Sequence, residues 1–134
     1  MGKPLVRIRL WNLFQDADVQ AGRVAPLERE ALADTGAMYV MLPKQLADHL
    51  GLLSAGTRRI RYADGRIEEK PLVRGLVIEA EGRTADCRAI VEDNGPQLLI
   101  GQLALEDLDL YVDCPGRRLV PRAESPDMPM AEQY

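Results

Sequence analysis

The chain has 134 residues, 46% of them hydrophobic, which suits one packed domain or one domain with a tail. Seventeen basic against twenty-one acidic side chains give a formal net charge of -4, so nothing draws it in bulk to phosphate backbones or anionic lipid, and nucleic acid is set aside as a partner. The longest uncharged run, residues 94–105, is twelve residues with a Gly-Pro break, well short of the roughly 20 apolar residues that cross a bilayer, so no membrane partner is expected.

Arg7 and Arg9 interrupt what would be the apolar core of a secretory signal, and Cys87 and Cys114 fit no metal spacing. With a single His49, no metal and no cofactor is expected. A cytoplasmic protein with both thiols free is the expectation, a Cys87–Cys114 disulfide the alternative.

Period-two alternation dominates and predicts a mainly β fold with one or two short helices. Residues 5–10 put Val6, Ile8 and Leu10 on one strand face and Arg7 and Arg9 on the other, with Trp11 beside them for the core or a subunit contact. After a loop holding Gly22 and Pro26, residues 29–33 form a strand that runs into Asp34-Thr35-Gly36-Ala37, and residues 38–42 leave as another. Pro43 opens a helix over 44–50 that Gly51 ends, with His49 on its surface. Residues 57–62 and 67–73 flank Asp64-Gly65, a two-residue hairpin signal; residues 76–80 and 84–91 flank Glu81-Gly82. Asn94-Gly95-Pro96 turns the chain before Leu98-Leu99-Ile100, Gly101 breaks that run, and residues 102–108 form a second short helix. Strands 110–112 and 118–120 are joined through Cys114-Pro115-Gly116, a type II turn signal. Residues 1–121 are read as one domain and 122–134 as a mobile tail.

Leu32-Ala33-Asp34-Thr35-Gly36-Ala37, the Asp64-Gly65 hairpin and Leu99-Ile100-Gly101 entering a helix stand in an order that resembles the retropepsin-like aspartic proteases, in particular their small single-domain bacterial members. The likeness covers about residues 5 to 121. It implies a closed acid-protease β-barrel, active as a homodimer on extended peptide or protein substrates. It makes Asp34 the catalytic carboxylate, Thr35 a hydroxyl tie across the dimer axis, and Gly36 a residue whose backbone approaches the acid closely. Ala37 leaves room for substrate backbone. Tyr62, Ala63, Asp64 and Gly65 become a substrate-covering flap, more polar than the glycine-rich flaps of viral members, and Leu99, Ile100 and Gly101 support the catalytic turn.

The chemistry has its own logic. Carboxylates alone hydrolyse an amide when two of them share one proton, one acting as base on water and the other as acid on the carbonyl. One copy of the motif therefore requires the Asp34 of a second chain, and two facing carboxylates cannot both ionise easily. The alternative is a catalytically silent dimerisation or peptide-binding module with the same fold; proteolysis restricted to one target or to self-processing is a third reading.

Plainer readings stand beside these. Asp-Thr-Gly serves ordinary turns in which glycine supplies positive φ. Glu106, Asp107, Asp109 and Asp113 read as a solvated face rather than a magnesium site. Arg58, Arg59, Arg61 and Arg66 either keep an exposed hairpin soluble or bind an acidic substrate.

Overall fold

Alternating burial along the first strand sets the pattern for the molecule. In β1 (Leu5–Asn12), Val6, Ile8 and Leu10 are buried while Leu5, Arg7 and Arg9 face solvent, as the alternation predicts. Trp11 is also buried, and its indole N–H donates to Asp16 Oδ1 at 2.8 Å. The structure is a computed structural model that describes residues 3–93 and 97–133; the expected turn at residues 94–96 lies outside them.

The remaining elements follow in chain order. A short 3-10 turn and helix α1 (Asp16–Gln20) lead to β2 (Leu27–Ala33), β3 (Val40–Pro43), helix α2 (Lys44–Leu50), β4 (Leu53–Arg61) and β5 (Ile67–Ala80). Then come β6 (Arg83–Glu92), β7 (Leu99–Ile100), helix α3 (Gln102–Leu108), β8 (Leu110–Asp113) and β9 (Arg118–Pro121). The main sheet has the order β1-β2-β7-β3-β6-β5-β4, and an antiparallel pairing of Arg9–Asn12 with Leu76–Glu79 joins β1 to β5. That pairing closes β1, β2, β7, β3, β6 and β5 into a ring and leaves β4 outside it. The fold is the mainly β, barrel-like one expected from the sequence.

Ile8, Leu10, Leu42, Leu76, Ile78 and Ile100 are buried inside the ring, α2 adds Ala47 and α3 adds Ala104, Leu105 and Leu108. Each fully buried aliphatic side chain contributes about 1.5–3 kcal/mol, so this cluster, rather than any surface ion pair, holds the strands in register.

Three local expectations change. Residues 67–80 form one strand rather than two: β5 runs through Arg74-Gly75 by means of a bulge against β6, with Gly75 at φ 84°, while a separate register shift against β4 falls at Ser54–Thr57. Asp64-Gly65 is not a two-residue turn. Tyr62 and Arg66 close a three-residue loop in which only Gly65 is left-handed, and Asp64 Oδ1 accepts the Arg66 N–H at 2.9 Å. That N–H, ahead of the Arg66 guanidinium, holds the Asp64 carboxyl below its usual value. At 114–117 the left-handed residue is Arg117 rather than Gly116, so the turn is not type II. Glu81-Gly82, with φ of 51° and 75°, is the hairpin in which both turn residues are left-handed.

The acidic stretch is not uniformly solvated either. Asp109, only 7% exposed, ends α3 in a left-handed conformation and receives Arg122 Nε at 2.6 Å and the Met130 N–H at 2.9 Å. The Ser125 hydroxyl, Arg122 and Met130 together hold its carboxyl well below the usual carboxylate range. Ser125 Oγ is buried beside it with no hydrogen-bond partner among the described residues, so the bonds from Arg122 and Met130 carry the contact. The guanidinium of Arg83, itself 6% exposed, donates to the carbonyls of Leu108, Asp109 and Ser125. Within residues 122–134, Arg122, Ser125 and Met130 thus contact the barrel. Cys87 and Cys114 are free thiols, and His49 is exposed.

Candidate active site

The Asp34 loop is built from backbone bonds. Strand β2 pairs in parallel with β7, Leu32 opposite Leu99 and Ala33 opposite Ile100, and the ladder ends where the Asp34 N–H donates to the Ile100 carbonyl at 3.0 Å. The chain then turns: Asp34 Oδ1 accepts the Gly36 N–H at 2.8 Å and the Asp34 carbonyl accepts the Ala37 N–H at 3.3 Å. Gly36 is not left-handed, so space rather than φ selects glycine: an added Cβ would lie 3.1 Å from Asp34 Oδ1.

Leu99, Ile100 and Gly101 brace this loop from behind. Helix α3 has no side-chain cap; its first N–H groups are taken up by the loop, Gln102 donating to Ala37 O at 2.7 Å and Leu103 to Met38 O at 3.1 Å. The bonds bring Gly101 so close that a Cβ would lie 2.5 Å from Tyr39 O and 2.8 Å from Ala37 O.

An open groove of about 720 Å³ runs from the Asp34 loop to the β4–β5 hairpin. Asp34, Gly36, Ala37 and Leu99 line one part and Tyr62 and Ala63 another, so six of the residues expected at the catalytic loop and flap meet here, together with Arg58, Arg59 and Arg61. Ile100 and Gly101 lie behind the loop, while Thr35, Asp64 and Gly65 do not line the groove. Thr35 is exposed and makes no side-chain hydrogen bond among the described residues.

Several residues that line the groove or bond to its lining escaped the sequence reading: Glu92 and Tyr39 in the lining, Lys3 and Lys70 paired to it. Lys3 Nζ lies 3.0 Å from Asp34 Oδ2, with the lysine side chain 56% exposed and the aspartate 13%. Glu92 accepts the Tyr62 hydroxyl with both oxygens at 3.0 Å and pairs with Lys70 at 3.3 Å, which fastens the hairpin base to β6. Burial and this carboxylate push the Tyr62 phenol above its usual value. Tyr39 also lines the groove, as does Arg58, one of the arginines that the sequence offers for an acidic substrate. None of these long-range partners has a local motif to reveal it. No group of three or more His, Cys, Asp or Glu residues fit to hold a metal occurs among the described residues.

Among the described residues, no helix is long and apolar enough to cross a membrane. A family model described as "gag-polyprotein putative aspartyl protease" matches residues 21–107, which span the Asp34 loop, the hairpin, the groove and most of α3. Among solved structures, the EIAV protease complexed with the inhibitor HBY-793 is similar to this chain, with a TM-score of 0.56 and 23% identity over 79% of this chain and 88% of that one. No curated protein matches. The sequence motif, the closed β fold and the family model agree, and the chain belongs to the retropepsin-like aspartic proteases of the gag-polyprotein type.

Proposed function

We propose that the chain is an aspartic endopeptidase whose active form is a homodimer, with one Asp34 from each copy facing the other across a two-fold axis. The observation that carries this reading is the placement of Asp34: it stands on a braced loop, little exposed, at the wall of an open groove of about 720 Å³ that reaches the β4–β5 hairpin. One carboxylate removes a proton from a water molecule as its oxygen attacks the scissile carbonyl carbon. The other carboxyl gives its proton to the carbonyl oxygen, forming a tetrahedral diol. Collapse of the diol breaks the C–N bond, a proton passes to the departing nitrogen, and the pair returns to its singly protonated form. Exposed Thr35 would find its hydrogen-bond partner in the second copy, and the hairpin carrying Tyr62 and Ala63 would cover the substrate.

Lys3 supports a second reading, the silent peptide-binding module, because its ammonium occupies the Asp34 oxygen that a water or a partner carboxyl would have to reach. In the protease reading Lys3 must leave, and the cost is small: an ion pair with so exposed a partner contributes about 0–1 kcal/mol. The deciding experiment compares wild type and Asp34→Asn on a diverse peptide library from acidic to neutral pH, with mass read-out and size measurement on the same samples. Cleavage by wild type alone supports the protease. Equal cleavage by both proteins, or a wild-type dimer that cuts nothing, overturns it.

A further inference from the structure

The charge of the groove is unevenly satisfied. Its two carboxylates are occupied, Asp34 by Lys3 and Glu92 by Lys70 and Tyr62. Its three arginines, 58, 59 and 61, have no carboxylate partner among the described residues. Burial separates the three, since β4 turns Arg58 and Ile60 inward, half-buried, and leaves Arg59 and Arg61 exposed. Arg66 is already paired, with Asp64 and Glu68, and is spoken for by the hairpin tip.

Arg58 is held in place rather than merely left over. One of its terminal nitrogens donates to the Tyr39 hydroxyl at 2.7 Å, and the guanidinium carbon is 5.4 Å from that ring's centre. Tyr39 carries a second guanidinium, from Arg88, at 5.8 Å. A guanidinium has five N–H donors, so a single bond to a phenol leaves most of the fork unused. Its cross-strand neighbour Lys70 is already paired, with Glu68 at 3.2 Å and Glu92 at 3.3 Å, so the nearby carboxylates are taken up and none is left for Arg58. Solubility alone does not account for a half-buried, positioned cation with no carboxylate partner; an anion arriving in the groove does.

We infer that the Arg58–Tyr39 pair forms a subsite that selects peptides carrying an Asp or Glu side chain at one fixed position, the guanidinium fork receiving the substrate carboxylate. This inference rests on the groove being the peptide site proposed above. Arg59 and Arg61 add long-range attraction that salt weakens, while Arg58 supplies the directed contact.

The test uses an eight-residue Ala/Val/Leu peptide with a single Glu walked through every position, beside the same series with Gln. Wild-type cleavage and binding to the Asp34→Asn protein are measured in parallel. Glu should exceed Gln by about tenfold at one position in both measurements, the discrimination expected of a charge-assisted fork contact. Arg58→Gln should abolish the ratio and Arg58→Lys retain part of it, with circular dichroism showing both variants folded. Equal treatment of Glu and Gln in binding and cleavage overturns the inference while leaving the protease reading intact. A Glu preference in binding with no cleavage of any peptide supports the inference and counts against turnover. A Glu preference that survives in folded Arg58→Gln overturns the assignment to Arg58.

Discussion

Replacing Gly101 by alanine would drive a methyl group into backbone, 2.5 Å from Tyr39 O and 2.8 Å from both Ala37 O and the Met38 carbonyl carbon. The backbone of Gly101, at φ -94°, is one that any residue adopts, so the whole penalty is steric. The obstacles are main-chain atoms of the loop after Asp34 and cannot swing aside as a side-chain tip would. Overpacking of this kind costs about 1–3 kcal/mol. Pushing the loop back also stretches the bonds from Gln102 and Leu103 to Ala37 and Met38, each worth about 1 kcal/mol. A loss of about 3 kcal/mol follows, which for a domain of this size lowers the melting temperature by about 10 °C. Gly51→Ala is the control, because Gly51 sits at φ 64° with nothing within 4 Å of the added Cβ. It should cost only about 1 kcal/mol, through backbone conformation alone. Thermal unfolding followed by circular dichroism measures both. A Gly101→Ala protein melting within about 2 °C of wild type, or no lower than Gly51→Ala, would refute the bracing described for the Asp34 loop.

Other changes follow from the same geometry. Burial, with Asp107 and Asp86 nearby, pushes the Cys87 thiol up to about 12, so at pH 8 it is almost wholly protonated. Alkylation of Cys87 should then run about a thousandfold slower in folded protein than in urea; mass spectrometry showing equal rates would contradict this. Because the Asp109 carboxyl is held low, the stability it lends is present above the ordinary carboxylate value and fades only as pH falls through the lower, folded one. Asp109→Asn, which tolerates the same left-handed backbone, should loosen residues 122–130 at pH 7, seen as faster hydrogen exchange at the Met130 amide; unchanged protection there would dismiss the contact. Lys3→Gln should shift stability by less than about 1 kcal/mol in urea unfolding, and a larger loss would mean that the Asp34 ion pair is structural.

How much of this was legible in the residues differs by length scale. Alternation found β1 and both arms of the Glu81-Gly82 hairpin, because burial on one face repeats every second residue whatever the partner. It broke β5 at Arg74-Gly75, since glycine marks a bulge and a strand end alike, and only the pairing with β4, β6 and β1 distinguishes them. Asp64-Gly65 looked like a two-residue turn, yet the Asp64 carboxylate capping the Arg66 N–H favours a loop one residue longer. At the site, Asp34, Gly36 and Leu99 were visible because their geometry is set within short motifs. Arg58 was visible as a charge that could meet an acidic substrate, but its Tyr39 partner was not; Lys3 and Glu92 were missed altogether, as their partners lie 30 or 31 residues away along the chain and meet only once the ring has closed.

The claim that two copies of Asp34 act together is tested most directly by mixing wild-type and Asp34→Asn chains at fixed total concentration, high enough for dimers, and measuring peptide cleavage after subunit exchange. If each active site takes one acid from each chain, mixed dimers are inactive and an equal mixture retains about a quarter of the full activity. Retention of about half, as when each chain works alone, or of about three-quarters, as when one Asp34 suffices in a dimer, would contradict the account.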